Sequence, residues 1–451
     1  MRHHDLAVIG TGSGNTIVDS RFAGWDVAIV EDGVFGGTCI NVGCIPTKMY
    51  VYPADVARAV QEAGKLGVDA TVEKVRWSDI RDRVFGRIDP ISISGREYRA
   101  ERSPNVTLYE GHVRFTGHKR LRLEGAEEFT ADRIVIAAGS RPVIPAPVRD
   151  VPFHTSDTIM RIDAPPEHLV ILGGGYIAAE FAHVFSALGS RVSIVGRSRT
   201  LLRMQDETVA DRFTSQAAMR WDCHLGREVA RASGEEGEVA LELAGGSVVR
   251  GDLLLVATGR IPNADRLDLG ATGVDTHVDG RVVVDEYQRT RVDGIFALGD
   301  VSSPYQLKHV ANHEAKVVAH NLLHADEPRR TDHRFVPSAV FTSPQIATVG
   351  RTEARCRAER LDYCVAIQAY ADVAYGWAME DTTGFCKIIA ERGTGRLLGA
   401  HIMGAQASSL IQPLIQAMSF GLGAREMATG QYWIHPALPE VVENALLELD
   451  V

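Results

Sequence analysis

The sequence predicts an α/β fold: two dinucleotide-binding units, followed by an α+β region toward the C-terminal end. Three observations carry that expectation. The apolar run Leu6–Ile9 leads into "GTGSGN", and a second apolar run, Val27–Val30, ends in Glu31. Strand, glycine turn, helix, strand and acid is the order of a nucleotide-binding βαβ unit. The same order recurs 163 residues later in "HLVILGGGYIAAEFAHVFSALGSRVSIVGRSR", a distance too long for a short-period repeat. From Pro337 onward, beginning "VPSAVFTSPQIATVG", strands and helices follow without another glycine fingerprint. A chain of 451 residues is too long for one core, so two to four domains are expected. The proline-containing links near 142–147 and 262 and the polar run 326–334 mark the boundaries. They divide the chain into 1–147, 148–263, 264–334 and 335–451.

In the first unit, Gly10 permits the tight turn off the strand and Gly12 lets the backbone approach a pyrophosphate. A helix is expected to follow, its free N–H groups and dipole facing that anion. The third turn position normally takes Gly or Ala for close helix–strand packing. Here Asn15 stands there, one residue after Gly14. Glu31 lies 21 residues after Gly10, the offset at which an acid accepts both ribose hydroxyls.

In the second unit Gly173, Gly175 and Ala178 fill the three turn positions, and a helix is expected to about Leu188. The acid expected after its second strand is replaced by Gly196, with Arg197, Arg199 and Arg203 close behind. A carboxylate there binds a free 2′-hydroxyl; guanidinium groups favour a 2′-phosphate. NADPH is therefore expected over NADH. Distal strands end in small residues at Ala137–Ser140 and Ala257–Asn263, and "DGIFALGDV" ends near Gly299 and Asp300.

Composition narrows the class of protein. A formal net charge of −10 argues against general nucleic-acid binding. No apolar run approaches the roughly 18 residues of a membrane span. The opening "MRHHDLAVIGTG" enters a strand at once, leaving no room for a signal peptide. Six cysteines are far below disulfide-scaffold density, so a cytoplasmic location is expected.

Two of those cysteines stand in "GGTCINVGCIPTK". A zinc site needs four ligands, and Cys223, Cys356, Cys364 and Cys386 offer no second close pair, so no metal is expected. A staple across so short a loop adds little stability by the loop-entropy argument. A redox pair fits better. Cys44 with Pro46 and Lys48 reads as the start of a helix, where a thiol's pKa falls and a stable thiolate becomes plausible.

With "GTGSGN…VED", "GGGYIAAE…GRSRTLLR", "ATGRIPN", "FALGD" and "HPALPEVVENAL" in this order, the whole chain resembles the flavoprotein disulfide reductases. The resemblance implies two Rossmann-like domains plus a C-terminal α+β dimerisation domain, and FAD and NADPH as cofactors. FAD would meet Gly10, Gly12, Gly14, Glu31, Gly37, Thr38, Ala138, Gly139, Gly299 and Asp300. NADPH would meet Gly173, Gly175, Tyr176, Ile177, Arg197, Arg203 and Gly259, with Tyr176 moving aside for the nicotinamide. Cys39 and Cys44 would form the redox disulfide, Cys44 facing the flavin and Cys39 the substrate. Lys48, paired with Glu180, would lie near flavin N5. His435, oriented by Glu440, would protonate the departing thiol from across a homodimer interface. His309 would lie near the flavin.

Within the family, NADPH preference argues against NAD-dependent dihydrolipoamide dehydrogenase, and the tail "ENALLELDV" has no redox pair, unlike mercuric reductases. Some glutathione reductases carry an arginine pair in the first helix for the substrate carboxylate; here the residues are Ser20 and Arg21. The unusual first unit and "LKHVANHEA" resemble the branch that reduces mycothione, the disulfide of a sugar-based thiol. Mycothione is the expected substrate, with glutathione disulfide and dihydrolipoamide as the alternatives.

Overall fold

The computed structural model describes residues 1–125 and 128–451. Strand β1 (Arg2–Ile9) lies parallel between β2 (Val27–Glu31) and, on its other side, β6 (Glu128–Ile136). Outward from β2 comes β3 (Val106–Glu110); outward from β6 come β5 (Arg120–Leu123) and β4 (Val113–Gly117), both antiparallel. Leu6 and Val8 of β1 bury into one cluster with Ile17 and Phe22, while Ala7 and Ile9 bury into another on the opposite face. A strand covered on both sides reads as a continuous apolar run, as this one does. Strand order reverses beside β1, opening a crevice beyond its C-terminal end.

The expected first helix is not an α-helix. Two short 3-10 turns, Gly14–Ile17 and Ser20–Phe22, take its place. Thr16, Ile17 and Val18 are three consecutive β-branched residues, which disfavour helix. Val18 is extended, and the Asp19 carboxylate accepts from the Arg21 N–H to start the second turn. The carbonyls left without helical partners go to Arg99, a buried residue of the long helix α3 (Trp77–Glu101). Its guanidinium donates to Asn15 O at 3.0 Å and Val18 O at 2.7 Å, and also to Asn15 Oδ1 at 2.7 Å. Asn15 thus anchors the broken turn. The packing position is filled by Gly14, where a Cβ would sit 2.7 Å from Ala137 Cβ. Before α3, the cysteine stretch forms α1 (Gly37–Asn41) and α2 (Cys44–Glu62).

Strand β7 (Ser140–Pro142) leads into the second unit. There β8 (His168–Leu172), α4 (Tyr176–Ala187) and β9 (Arg191–Gly196) follow the expected order. After α5 (Glu207–Ala218) comes β10 (Asp222–Leu225); the antiparallel β11 (Val229–Glu235), β12 (Glu238–Leu243) and β13 (Val248–Gly251) precede β14 (Leu253–Val256). The parallel sheet runs β10-β9-β8-β14. Strand β15 (Arg260–Pro262) pairs back on β7, and β16 (Ile295–Ala297) rejoins the first sheet beside β6, followed by α6 (Lys308–Leu323).

The C-terminal region is one antiparallel sheet of β17 (Ser338–Val340), β18 (Ile346–Gly350), β19 (Tyr363–Ala369), β20 (Phe385–Glu391) and β21 (Leu397–Met403), in the order β17-β18-β21-β20-β19. Helices over Gln412–Phe420 and Glu440–Leu447 close a core of their own against it.

A buried ionic cluster ties this sheet to the second unit. Lys387 of β20 donates to Asp206 Oδ1 at 2.8 Å, Glu353 Oε2 at 2.7 Å and Thr208 Oγ1 at 3.0 Å. Asp206 also caps the start of α5. Burial alone would raise the Asp206 carboxyl, but the Glu353 N–H and the Lys387 ammonium outweigh it and hold the group below its usual range. The unfolded chain therefore binds that proton more readily. The stabilisation is present above the ordinary aspartate pKa of about 3.9 and is lost as pH falls through the lower folded value. Lys387→Met strands a buried carboxylate and is expected to cost about 3–5 kcal/mol near neutrality. The deficit should shrink in mild acid, where the stranded Asp206 takes up a proton. Thermal unfolding at both pH values checks this, and an equal, small change at both would contradict it.

Candidate active site

The end of β1, the start of α2, the start of α4 and the start of α6 converge on a cavity of ≈480 Å³. Its walls bring together Gly10, Gly12, Glu31, Gly37, Thr38, Cys39, Cys44, Lys48, Ala138, Gly139, Tyr176, Ile177, Glu180, Gly299 and Asp300. Gly12 and Gly37 explain how two segments share one wall. A Cβ on Gly37 would lie 2.7 Å from Gly12 Cα, so only glycine lets the cysteine-bearing turn rest on the glycine loop. At Gly12 and Gly139 a Cβ would meet nothing closer than 3.9 Å, leaving bare backbone toward the cavity. Glu31 closes one end, its oxygens accepting the N–H groups of Thr11 and Gly33, each at 3.0 Å. Asp300 accepts from Ser140 Oγ at 2.7 Å. Open glycine backbone with an acid at the sugar end fits a dinucleotide such as FAD.

Cys39 sits in α1 and Cys44 opens α2, and both are free thiols. They are not equivalent. The neighbouring Cys39 thiol is the largest cause that brings the Cys44 thiol down to about 6. Burial opposes the shift, and the Lys48 charge adds to it. The same pairing, with burial, pushes the Cys39 thiol up. Near neutral pH the pair therefore holds one proton on Cys39 and a thiolate at Cys44. Lys48, one turn along α2, donates to Glu180 at 2.7 and 3.0 Å and lies 4.7 Å from the Phe341 ring centre. Glu180 is buried in α4 and also accepts the Phe341 N–H at 2.9 Å. One carboxylate thus binds the redox helix to the second unit.

At the second unit's corner a Cβ on Gly175 would meet nothing within 4 Å, so the start of α4 is open to an approaching phosphate. Gly173 turns at φ +139°. Gly196 packs beside Leu225, and Arg197, Arg199 and Arg203 are exposed. Among the described residues none of these three arginines has a carboxylate partner. A corner with free guanidinium groups and no acid fits the 2′-phosphate of NADPH. Gly259 sits at φ +125° outside the main cavity.

His435 and Glu440 form a pair at 2.7 Å, Nδ1 to Oε1, and Glu440 also accepts the Ala437 N–H. With the carboxylate on Nδ1–H, Nε2 is left free for proton exchange. Neither residue lines the cavity of its own chain, and the His435 side chain is 72% exposed.

Two placements differ from the sequence reading. Gly14 lies outside the cavity, used for packing as described above. His309 does not face the cavity either; it is exposed and bonds the Pro337 carbonyl at 2.9 Å. Its neighbour Lys308 lines the cavity instead, because successive positions at the start of α6 point in different directions. Pattern reading also passed over Arg260. Its nearly buried guanidinium donates to Ser140 and pairs with Asp157 at 3.2 Å, bracing one wall. The signal available was its position directly after "ATG", in a segment already singled out.

This arrangement, two dinucleotide folds around an asymmetric dithiol, defines a disulfide reductase of the flavin- and pyridine-nucleotide-dependent kind. Residues 4–315 match the family model described as pyridine nucleotide-disulphide oxidoreductase, and residues 336–446 match that family's dimerisation domain. The chain belongs to the pyridine nucleotide-disulphide oxidoreductases. It is 61% identical to the mycothione reductase of Mycobacterium tuberculosis, covering 100% of both chains. It is 31% identical to the glutathione reductase of Burkholderia cepacia, covering 97% of each. A solved structure of the HOCl-induced flavoprotein disulfide reductase RclA from Escherichia coli superposes with a TM-score of 0.86 at 28% identity, covering 98% of this chain and 99% of that one. No helix among the described residues is long and apolar enough to cross a membrane.

Proposed function

We propose that this enzyme uses NADPH and FAD to reduce mycothione to two molecules of mycothiol. The observation that carries the reading is the placement of Cys39 and Cys44 on the wall of the dinucleotide cavity, one helical turn from a Lys48 that Glu180 holds at 2.7 Å. Gly10, Gly12, Glu31 and Asp300 would hold FAD, which when bound would supply the chemistry that passes an electron pair from NADPH to the cysteine disulfide. Lys48 places positive charge at the wall where that pair arrives, and Glu180 holds it there. Cys39, as thiolate, attacks one sulfur of the substrate disulfide; the bond that forms replaces the bond that breaks. His435 of the partner subunit gives the departing thiolate its proton, and Glu440 keeps the imidazole turned for that task. Cys44 then attacks the Cys39 sulfur, releasing the second thiol and restoring the disulfide. The active unit is thus a homodimer with shared sites, and the reducing cytoplasm suits its free thiols.

Two observations favour mycothione within the family. The first is the high identity to a mycothione reductase along the whole chain. The second is Arg21, whose guanidinium is held by Asp19 through Nε to Oδ1 at 2.9 Å and Nη2 to Oδ2 at 2.7 Å. An arginine so paired is poorly placed to take a glutathione carboxylate, and a sugar-based thiol does not demand one. NADPH oxidation by the purified enzyme with mycothione, glutathione disulfide and lipoamide side by side tests the reading. Turnover is expected with mycothione, and NADPH is expected to outperform NADH. Turnover confined to glutathione disulfide would reject the substrate, and NADH preference would reject the role given to Arg197 and Arg203.

A further inference from the structure

Among the described residues, three polar side-chain ties join α2 to α4. The first is Lys48–Glu180, at the cavity wall. The second lies further along both helices: His183 Nε2 and Asp55 Oδ1 stand 2.7 Å apart. In the third, Gln61 donates to the Ala187 carbonyl at 3.0 Å. Asp55 follows Lys48 by seven residues and His183 follows Glu180 by three, so each pair of positions returns to one face of its helix. Around the ties the packing is apolar and close, with Ala54 and Ala182 fully buried in one cluster. His183 is itself only 2% exposed, and Asp55 is partly buried. An imidazole N–H so deep costs stability unless it is bonded, and the Asp55 carboxylate accepts it.

The polarity of the first two ties alternates. Lys48 brings a cation from α2 to a carboxylate on α4, whereas Asp55 brings a carboxylate from α2 to an imidazole on α4. The two helices advance in the same direction through the ties, so a slip along their axes strains both. Slid one way, α2 would bring Asp55 toward Glu180, carboxylate against carboxylate. Slid the other way, it would carry Lys48 toward His183 and leave Glu180 buried without its partner. Both slips are unfavourable. Neither His183 nor Asp55 lines the cavity, so any effect on the reacting groups passes through α2. We propose that His183 is a positioning residue: bonded to Asp55, it holds α2 in register on α4 and so fixes Lys48 on the wall it shares with Cys39 and Cys44. The inference rests on the role given to Lys48 in the proposed function, a positive charge where the electron pair arrives. Lys48 carries that charge on a flexible four-carbon stem. Glu180 fixes the tip of the stem, but its base moves with α2, and the second tie fixes the base.

The test is reduction of the oxidised holoenzyme by NADPH with no disulfide substrate present, followed in stopped flow through the flavin absorbance. This step does not depend on which disulfide the enzyme reduces. His183→Phe, which fills the space and cannot donate, is expected to slow it by about five- to fiftyfold. Asp55→Ala, at the partly exposed end of the tie, carries the same expectation should the phenylalanine variant not fold. His183→Gln, whose amide can donate to Asp55, should recover most of the rate. The decisive readout is the double variant. In a Lys48→Met background, Asp55→Ala should slow the step by less than about twofold, because the group being positioned is gone. Equal slowing with and without Lys48 overturns the inference and leaves His183 a role in folding alone. So does a wild-type rate in His183→Phe or Asp55→Ala with FAD bound. A glutamine variant as slow as the phenylalanine one removes the hydrogen bond as the cause, and the inference with it. Wild-type enzyme that NADPH does not reduce overturns the proposed function itself, and this inference falls with it.

Discussion

Cys39→Ser is expected to lower disulfide turnover by about 10⁴-fold or more, while NADPH consumption with an artificial electron-accepting dye persists. The physical reason is the division of labour between the thiols. In the proposed mechanism the sulfur at position 39 forms the mixed disulfide, whereas the electron path up to the pair lies on the Cys44 side, where Glu180 holds Lys48. A serine hydroxyl still donates to Cys44, so the Cys44 thiolate should survive. In the reduced wild-type enzyme the Cys44 thiolate's ultraviolet absorbance should appear as pH rises through about 6. Cys39→Ala removes the donor and should move that titration upward, because the largest cause of the lowered value is then gone. Disulfide turnover that survives in Cys39→Ser would show that another group meets the substrate.

His435→Gln is expected to reduce turnover by about 10²–10⁴-fold, the usual worth of a positioned acid. Its more telling use is in combination. His435 is exposed and lies outside its own chain's cavity, so the proposed dimer makes each site from two chains. Refolding equal amounts of Cys39→Ser and His435→Gln chains together should yield roughly a quarter of wild-type activity. Half of the dimers are then mixed, and one site in each mixed dimer has both intact residues. No recovery on mixing, with mixed dimers demonstrated, would place His435 and Cys39 in the same chain's site and remove the shared-site reading.

Much of the candidate site was legible because its signals are local. Gly10 and Gly12 before a second strand ending in Glu31, Gly173 and Gly175 before Tyr176, and two cysteines before Lys48 are each chemistry compressed into a few residues. Backbone turns that admit only small residues write themselves into sequence in this way. The missing acid at Gly196 was legible for the same reason, as a departure at a known offset.

The parts that were not legible depend on residues distant in the chain. Asn15 looked like a flaw in the first glycine motif. Its partner is Arg99, 84 positions on, whose guanidinium takes the carbonyls that a helix would have satisfied. The propensity of Thr16–Val18 against helix was readable; the buried cation that makes the break stable was not. The Asp206–Lys387–Glu353 cluster joins segments nearly two hundred residues apart. Lys308 was passed over for its neighbour His309, because which side chain of a helix's first turn faces a cavity depends on how the helix is docked.

By itself, then, the sequence determined the α/β architecture, the two nucleotide units and the dithiol, since all of these rest on short-range steric and chemical requirements, while FAD was expected from the family resemblance. Only the tertiary structure decided what replaces the first helix, which buried cation makes that break stable, and which side chain at the start of α6 faces the cavity. These are set by distances between side chains brought together from separate segments, and those distances exist only once the chain has folded.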